Sequence, residues 1–483
     1  MRTNQDKMED SLNNSRPIDV HVWSDYPEIN HLVDALWETY FELIEVIRRG
    51  PKSKATKKSH LKVLLLDLYV CWVNDPTMYL AVHMSKSGWK ANSRYNALHL
   101  SSQMIDVVRK LVDLEYLEFH KGYEGRLSRI RATDRLHFLF HSIVVPLPAI
   151  SFHHSQEVLE LRGDGDAEVS TSKPKLEYSD TDATAEMRAV LRAYNDLLRR
   201  SHLDICSLEQ PFIDRSITKG PRQGQKIRIH IDHRHTFVKR VFNKGSWELG
   251  GRFYGGWWQF IDKDLRSDIM INDQPTVEID YKSMHITLLL AQIKQKSYYD
   301  PYTLNKSIFP ERNDLDQRKV VKQLVLMALN ASDRKTAFSA FRGDQPTGHS
   351  AKKLTNVELT KLLDAFVEEY PDLAPFMCTG KGLELMYIDS CIAEHVIDHF
   401  TDLGVPILCL HDSFIVPFDH VLELRAVMVK AGSSATKRFM FTEKEGVGLD
   451  EWFSAYENTG QQPDFEPKQV VRCDGYMGRL GAS

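Results

Sequence analysis

Between Val405 and Phe418 the chain reads Val-Pro-Ile-Leu-Cys-Leu-His-Asp-Ser-Phe-Ile-Val-Pro-Phe. Two apolar runs of strand length flank His411-Asp412-Ser413, so the segment reads as a tight β-hairpin with an acid at its tip. An ionised carboxylate between apolar strands needs a partner or a metal ion, because burying it alone is strongly unfavourable. His-Asp-Ser is also not a favoured turn sequence of the Asn-Gly kind, which weakens the plainer reading of an incidental turn acid. Whatever packs around this hairpin must therefore answer Asp412.

A second acid stands where the apolar period changes. In the segment from Thr276 to Gln292, Val277 and Ile279 alternate with Glu278 and Asp280, and Met284, Leu288 and Ala291 then share one helical face. Asp280 is predicted at the junction of strand and helix, where a carboxylate can reach a cleft and hold a hard cation. Asp is also a common helix cap, so this segment alone is weak. Between the two acids, Arg318 and Lys322 lie one helical turn apart, on a face that Leu326 and Asn330 continue. Two such cations can grip a triphosphate, Arg as a fork and Lys as a point charge. A solvated basic turn is the bland reading of that helix.

In chain order these segments give strand–Asp–helix, an Arg-x3-Lys helix and a His-Asp hairpin. That order resembles motifs A, B and C of family A DNA polymerases and single-subunit phage-type RNA polymerases. Asp280-Tyr281 is similar to motif A, Arg318 to Lys322 to motif B, and His411-Asp412 to motif C. The run His411 to Phe414 is closer to the RNA polymerases. Asp300-Pro-Tyr302 and Gly251-Arg-Phe-Tyr254 resemble two further elements of these families. The resemblance covers about residues 235–420.

It implies an α+β, mostly helical, right-hand fold with an antiparallel palm sheet. Fingers are expected near 295–375 and a thumb near 184–210. It implies a metal-dependent nucleotidyltransferase, a polymerase extending a primer on a template with nucleoside triphosphates. Asp280 and Asp412 would be catalytic and would bind Mg2+ or Mn2+, with the Tyr281 carbonyl as a further ligand. Arg318 and Lys322 would hold the triphosphate, and Lys322 would also neutralise developing charge or donate a proton. Tyr281, His285 and Asn330 fall at nucleotide-contacting positions. His411 would support the primer terminus, and Arg252 and Tyr254 would face the duplex. Asn330-Ala331 stands where these families usually carry Tyr-Gly, and His285 where DNA polymerases carry Glu, so dNTP versus rNTP choice stays open. On the helix before motif C, Asp389, Ser390, Glu394 and His395 are candidates for nucleic-acid contact. The solvated side of an amphipathic helix is the plainer reading for each.

Further upstream, Met104, Val107, Val108, Leu111 and Leu114 form one helical face, with Ser101 and Ser102 as caps. An alternating strand follows from Leu114 to Phe119, then Gly122 and Gly125, then a returning strand from Leu127 to Ala132. A helix at Leu61 to Val73 takes Ser59 as its expected cap. Helix, strand, glycine turn and strand resemble the recognition helix and wing of winged-helix proteins. On that resemblance Arg109 and Lys110 would contact DNA; a solvated face on a packing domain is the bland reading.

The chain has 483 residues, 42% hydrophobic and 27% charged, with net charge −4. It is therefore not a uniformly basic nucleic-acid binder, yet Arg215 to Lys244 is locally rich in Lys and Arg, including Lys219 and Arg222. Trp247, Trp257 and Trp258 next to it suit either a stacking groove or core packing. The cysteines are scattered without a CxxC pair, which argues against a zinc site or disulfide framework and for reduced thiols in a cytoplasmic protein. No run approaches the roughly 18 apolar residues of a membrane span. The expected organisation is a flexible lead at 1–30, a winged-helix-like domain at 31–150, an acidic linker at 151–184, a polymerase-like region at 185–455 and a tail at 456–483. A DNA-binding replication initiator or regulator on a non-catalytic polymerase-like scaffold is the alternative from another class.

Overall fold

The computed structural model describes residues 11–41, 56–123, 125–143, 145–146, 149–164, 173–217, 224, 226–295, 300–312, 314–437, 442–445 and 470–481. The chain divides into two compact units, residues 1–157 and 158–483. Each mixes helix with sheet, so the α+β expectation holds.

The first unit contains β1 (Ser15–Pro17), β2 (Val22–Trp23), α1 (Pro27–Tyr40), α2 (Lys57–Asn74), β3 (Tyr79–Val82), α3 (Gln103–Asp113), β4 (Leu117–His120), β5 (Ser128–Ala132), α4 (Asp134–His141) and β6 (Ser151–Phe152). Its main sheet runs β1-β3-β5-β4. The α3 face of Met104, Val107, Val108 and Leu111 is buried as its spacing predicts, and β4 and β5 pair antiparallel behind it. The first strand starts at Leu117 rather than Leu114. Glu115 takes φ +61 on leaving the helix, and Tyr116 N–H bonds back to the Leu111 carbonyl at 2.9 Å. Thr56, not Ser59, caps α2.

The lead is not wholly a flexible one. Asp67 on α2 is 1% exposed, and a buried acid needs a cation. Arg16 on β1 supplies it, Asp19 N–H adds a bond of 2.7 Å, and β1 pairs parallel with β3. Residues 1–10 of the expected lead lie outside the described residues.

The second unit contains β7 (Leu159–Leu161), α5 (Asp182–Arg199), β8 (Leu203–Ile205), β9 (Phe212–Ser216), β10 (Lys226–His230), β11 (Lys239–Asn243), β12 (Ser246–Tyr254), β13 (Ile269–Ile271), β14 (Gln274–Tyr281), α6 (Met284–Gln292), α7 (Gln317–Asn330), α8 (Arg334–Asp344), α9 (Asn356–Glu369), α10 (Gly382–Asp402), β15 (Leu408–Leu410), β16 (Ser413–Pro417), α11 (Val421–Thr436), β17 (Thr442–Glu445) and α12 (Asp474–Gly481). The principal sheet runs β15-β16-β14-β13-β8, with β17 also paired to β14. A smaller sheet runs β12-β11-β7, and β9 and β10 form a separate ribbon.

Three boundary expectations change. The expected linker contains β7, which is buried and pairs parallel with β11, because Val158, Leu159 and Leu161 are core residues. Residues 165–172 of that stretch lie outside the described residues. Helix α5, expected in a thumb, buries Leu191, Tyr194 and Leu198, and the Tyr194 hydroxyl donates to the Ile407 carbonyl at 2.7 Å. It is a core helix. The tail, opaque in sequence, ends in α12. Tyr476 there is fully buried and donates to Asp273 at 2.9 Å, and Arg479 pairs with buried Asp204 at 2.7 Å. Residues 446–469 lie outside the described residues.

Glu160, in the middle of β7, is buried among cations. It accepts from Arg162 Nε at 2.6 Å, Lys239 Nζ at 2.7 Å and Lys175 Nζ at 3.0 Å. Burial favours the protonated acid, but the lysines overcome it and hold the carboxyl at about 2, against an ordinary 4.5. A depressed acid stabilises fully above its unfolded value and loses that contribution as pH falls toward its folded one. Glu160→Gln is therefore expected to cost on the order of 2 kcal/mol at neutral pH. The difference from the parent should shrink between pH 4.5 and about 2 in urea unfolding curves.

Candidate functional site

The two acids singled out by their surroundings meet through the backbone. β14 and β16 pair antiparallel from Thr276↔Pro417 to Asp280↔Ser413. One step further, Tyr281 N–H donates to the Asp412 carbonyl at 3.1 Å. Asp280 thus lies at the last position of β14 that pairs with β16, and Asp412 in the short turn between β15 and β16. Directly opposed residues of an antiparallel pair stand about 4.5–5.5 Å apart at Cα, so the register sets Asp280 across from Ser413, the residue that follows Asp412. His411 makes the turn with φ +69. After β14, Ser283 takes φ +52 and α6 begins, as the change of period predicts.

Behind Asp412 sits a buried charged cluster. Arg252 on β12 donates from Nε to both carboxylate oxygens of Asp389 on α10, at 3.1 and 3.0 Å, and from Nη2 to one of them. His285 Nε2 on α6 lies 3.1 Å from Asp389 Oδ2 and 3.1 Å from Arg252 Nη2. Gly251, at φ +79, lets β12 approach α10, since a Cβ there would stand 2.7 Å from Ser390 Oγ. Burial opposes the Arg252 charge, but its bonds to Asp389 prevail and raise its pKa. Burial also pushes the Asp412 carboxyl up, Asp389 pushes it further, and Arg252 opposes both. Burial and then Arg252 bring the His411 imidazole down to about 4, so it is neutral at pH 7. Its ring meets the Tyr254 ring edge-on at 5.0 Å.

The Arg-x3-Lys helix joins the same neighbourhood through Tyr302. This phenol is buried, and its pKa is raised by burial, then by Asp412, then by Asp300. Asp300 accepts from Arg318 Nε at 2.6 Å and from the Thr303 hydroxyl at 2.9 Å. Burial would raise the Asp300 carboxyl, but these bonds lower it. Lys322 is exposed, with Nζ 5.9 Å from the Tyr302 ring centre. Asn330 is exposed at the end of α7, where its side-chain amide donates to the Leu326 carbonyl at 2.8 Å.

The donor chemistry suits a small hard cation. Mg2+ characteristically takes one or two carboxylates and completes its shell with water and substrate phosphate. Asp280 and Asp412 provide two carboxylates. A divalent ion would also relieve the burial that raises the Asp412 pKa. Among the described residues no group of three or more His, Cys, Asp or Glu side chains converges on one point.

No family model matches the chain, and no curated protein matches it. Among solved structures it is similar to "POL domain of Pol1 from M. smegmatis complex with DNA primer-template and dNTP", at 10% identity and a TM-score of 0.30. The match covers 56% of this chain and 52% of that one, so the chain spans about half the length of the matched structure. A likeness so slight decides neither fold nor chemistry.

Other residues expected at the site fall elsewhere. The Tyr281 ring is buried and its hydroxyl bonds to the Met428 carbonyl, so only its main chain lies beside the acids. Trp257 and Trp258 are core residues, and Trp247 packs edge-on against Tyr178 and Phe242. The basic stretch is largely paired within the chain: Arg228 with Asp214, Arg234 with Asp232, Lys239 with Glu160, Arg240 with Glu394. Its Lys219 and Arg222 lie outside the described residues. Arg109 and Lys110 belong to the first unit. Asp389 was one of several undistinguished polar residues on a helix; it is instead 1% exposed and central to the cluster. Only its place on the apolar side of that helix could have marked it.

The Arg252–Asp389 pair gives a stability test. Asp389→Leu leaves Arg252 buried without its anion and is expected to cost about 3–5 kcal/mol. Adding Arg252→Met should restore most of that loss in urea denaturation, because the apolar pair buries no charge.

Proposed function

We propose that the second unit catalyses metal-dependent nucleotidyl transfer, as a polymerase that extends a nucleic-acid primer with nucleoside triphosphates. The observation that carries this reading is the backbone pairing of Asp280 with the Asp412 turn, beside a helix presenting Arg318 and Lys322. In this reading the principal sheet is the palm, and α7, α8 and α9, between the two acids in sequence, belong to the fingers. The first unit is a winged-helix-like DNA-binding module with Arg109 and Lys110 on its contact face.

Asp280 and Asp412 would hold Mg2+ or Mn2+, which would supply Lewis acidity toward a primer hydroxyl and the triphosphate. Lys322 neutralises charge that develops on the triphosphate. Arg318 exchanges Asp300 for a phosphate, so Asp300 holds its fork ready for that exchange. His411, neutral and fixed against Tyr254, supports the primer terminus. Asp389 is a positioning residue: it anchors Arg252 and His285 behind Asp412 without touching substrate. Because Asp389 already occupies Arg252, that arginine faces the duplex only with its remaining edge. His285 stands near the sugar position, and Asn330 at the far end of the triphosphate helix; dNTP versus rNTP choice is left to experiment.

A second reading draws on the same ion pairs. Arg318 bound to Asp300 and Arg252 bound to Asp389 also suit a DNA-binding replication initiator whose polymerase-like scaffold is non-catalytic.

The two readings separate in one assay. Protein, Mg2+ or Mn2+, a labelled primer with and without template, and dNTPs or rNTPs are combined. Extension is expected, with loss in Asp280→Ala and in Asp412→Ala and a drop of about a hundredfold in kcat for Lys322→Ala. No extension under any condition favours the initiator, and extension that persists in both aspartate variants removes these acids from the chemistry.

A further inference from the structure

The first unit holds a cleft of about 380 Å³ between α3 and the β4–β5 hairpin. Its floor is apolar, from Met84, Val108, Val112 and Phe119, and Arg109, Asp113 and Lys121 stand around it. Among the described residues Arg109, Lys110 and Lys121 have no acidic partner, in contrast to the paired cations of the second unit. The hairpin continues into Tyr123, 64% exposed, with the Arg126 guanidinium 5.8 Å from its ring centre.

We infer that this cleft takes an unpaired base of a single-stranded nucleic acid. A helix lying in a duplex groove reads base edges with an outward row of polar groups and makes no use of an apolar hole beside it. A hole of this size, with an aromatic wall and cations at its mouth, fits a splayed-out base whose flanking phosphates reach Arg109 and Lys121. Asp113 argues against a simple anion pocket. A carboxylate there accepts instead from an exocyclic amine, as acids do from cytosine N4. Cytosine is therefore preferred over thymine, which has no such amine. The inference deepens the nucleic-acid reading of the first unit and rests on it, but is independent of catalysis by the second.

The full chain is to be photocrosslinked to a short oligodeoxycytidine carrying one 5-iododeoxycytidine, with crosslinked peptides identified by mass spectrometry. Crosslinks at Met84 or Phe119 are expected. The same oligonucleotide competes better than oligothymidine or duplex. Arg109→Glu and Lys121→Glu, both at surface positions, should each lower the yield about tenfold at low salt. Phe119→Ala should lower it by a similar factor, about the size of one base–aromatic stack. Crosslinks confined to residues 158–483 overturn the cleft as the site and leave primer extension untouched. Crosslinks in the cleft segment that duplex removes equally well overturn base insertion while preserving nucleic-acid contact by this unit. Absence of any crosslink or competition overturns both.

Discussion

The register of β14 against β16 is the constraint on which the second unit turns. A slip of β14 by one residue against β16 would carry Ile279, now fully buried opposite Phe414, to the other face of the sheet. It would also separate Asp280 from the Asp412 turn. The same apolar alternation that sets the core therefore sets the spacing of the acids, and neither can change without the other. Around that fixed point the interior is charged. Arg252, Asp389 and His285 fill the space behind Asp412, and each needs the others to be tolerable in a buried position.

Much of this was legible because it is local. Val277 and Ile279 announce β14, the change of period at Met284 announces α6, and the two apolar runs around His411 announce the hairpin. The face of Met104, Val107, Val108 and Leu111 gave α3, and the glycines after it gave the turn into β5. Such features depend on neighbours a few residues away, which a sequence displays directly. The expectation that Asp280 and Asp412 share a site comes from motif order rather than from any local pattern; what joins the two segments is the backbone bond from Tyr281 to Asp412.

What was not legible depends on partners far away in the chain. Arg16 answers Asp67, Lys239 answers Glu160, Arg240 answers Glu394, and Arg252 answers Asp389. Read in sequence, Arg215 to Lys244 is a basic run suited to phosphates. Folded, many of its cations are consumed inside the protein, so local charge density overstated the free positive surface. The reverse holds for α3 and the hairpin after it, where cations are fewer in sequence but Arg109, Lys110 and Lys121 have no acidic partner among the described residues. Tryptophans misled in the same way, because a ring beside basic residues in sequence says nothing about the layer it enters.

The closing helix has a consequence for how the chain is made. Asp204 is buried beside β13, and among the described residues its cationic partner is Arg479. Tyr476 and Arg472 likewise reach back to Asp273. Every strand of the principal sheet leaves the ribosome before these residues do. A nascent chain that has exposed only as far as β17 holds an unanswered carboxylate at one edge of an otherwise complete sheet. The first unit has no such debt, since its parts are all present by residue 157. Synthesis thus delivers the protein in two instalments: an early module that can settle while translation continues, and a late one that waits for its final turn of helix.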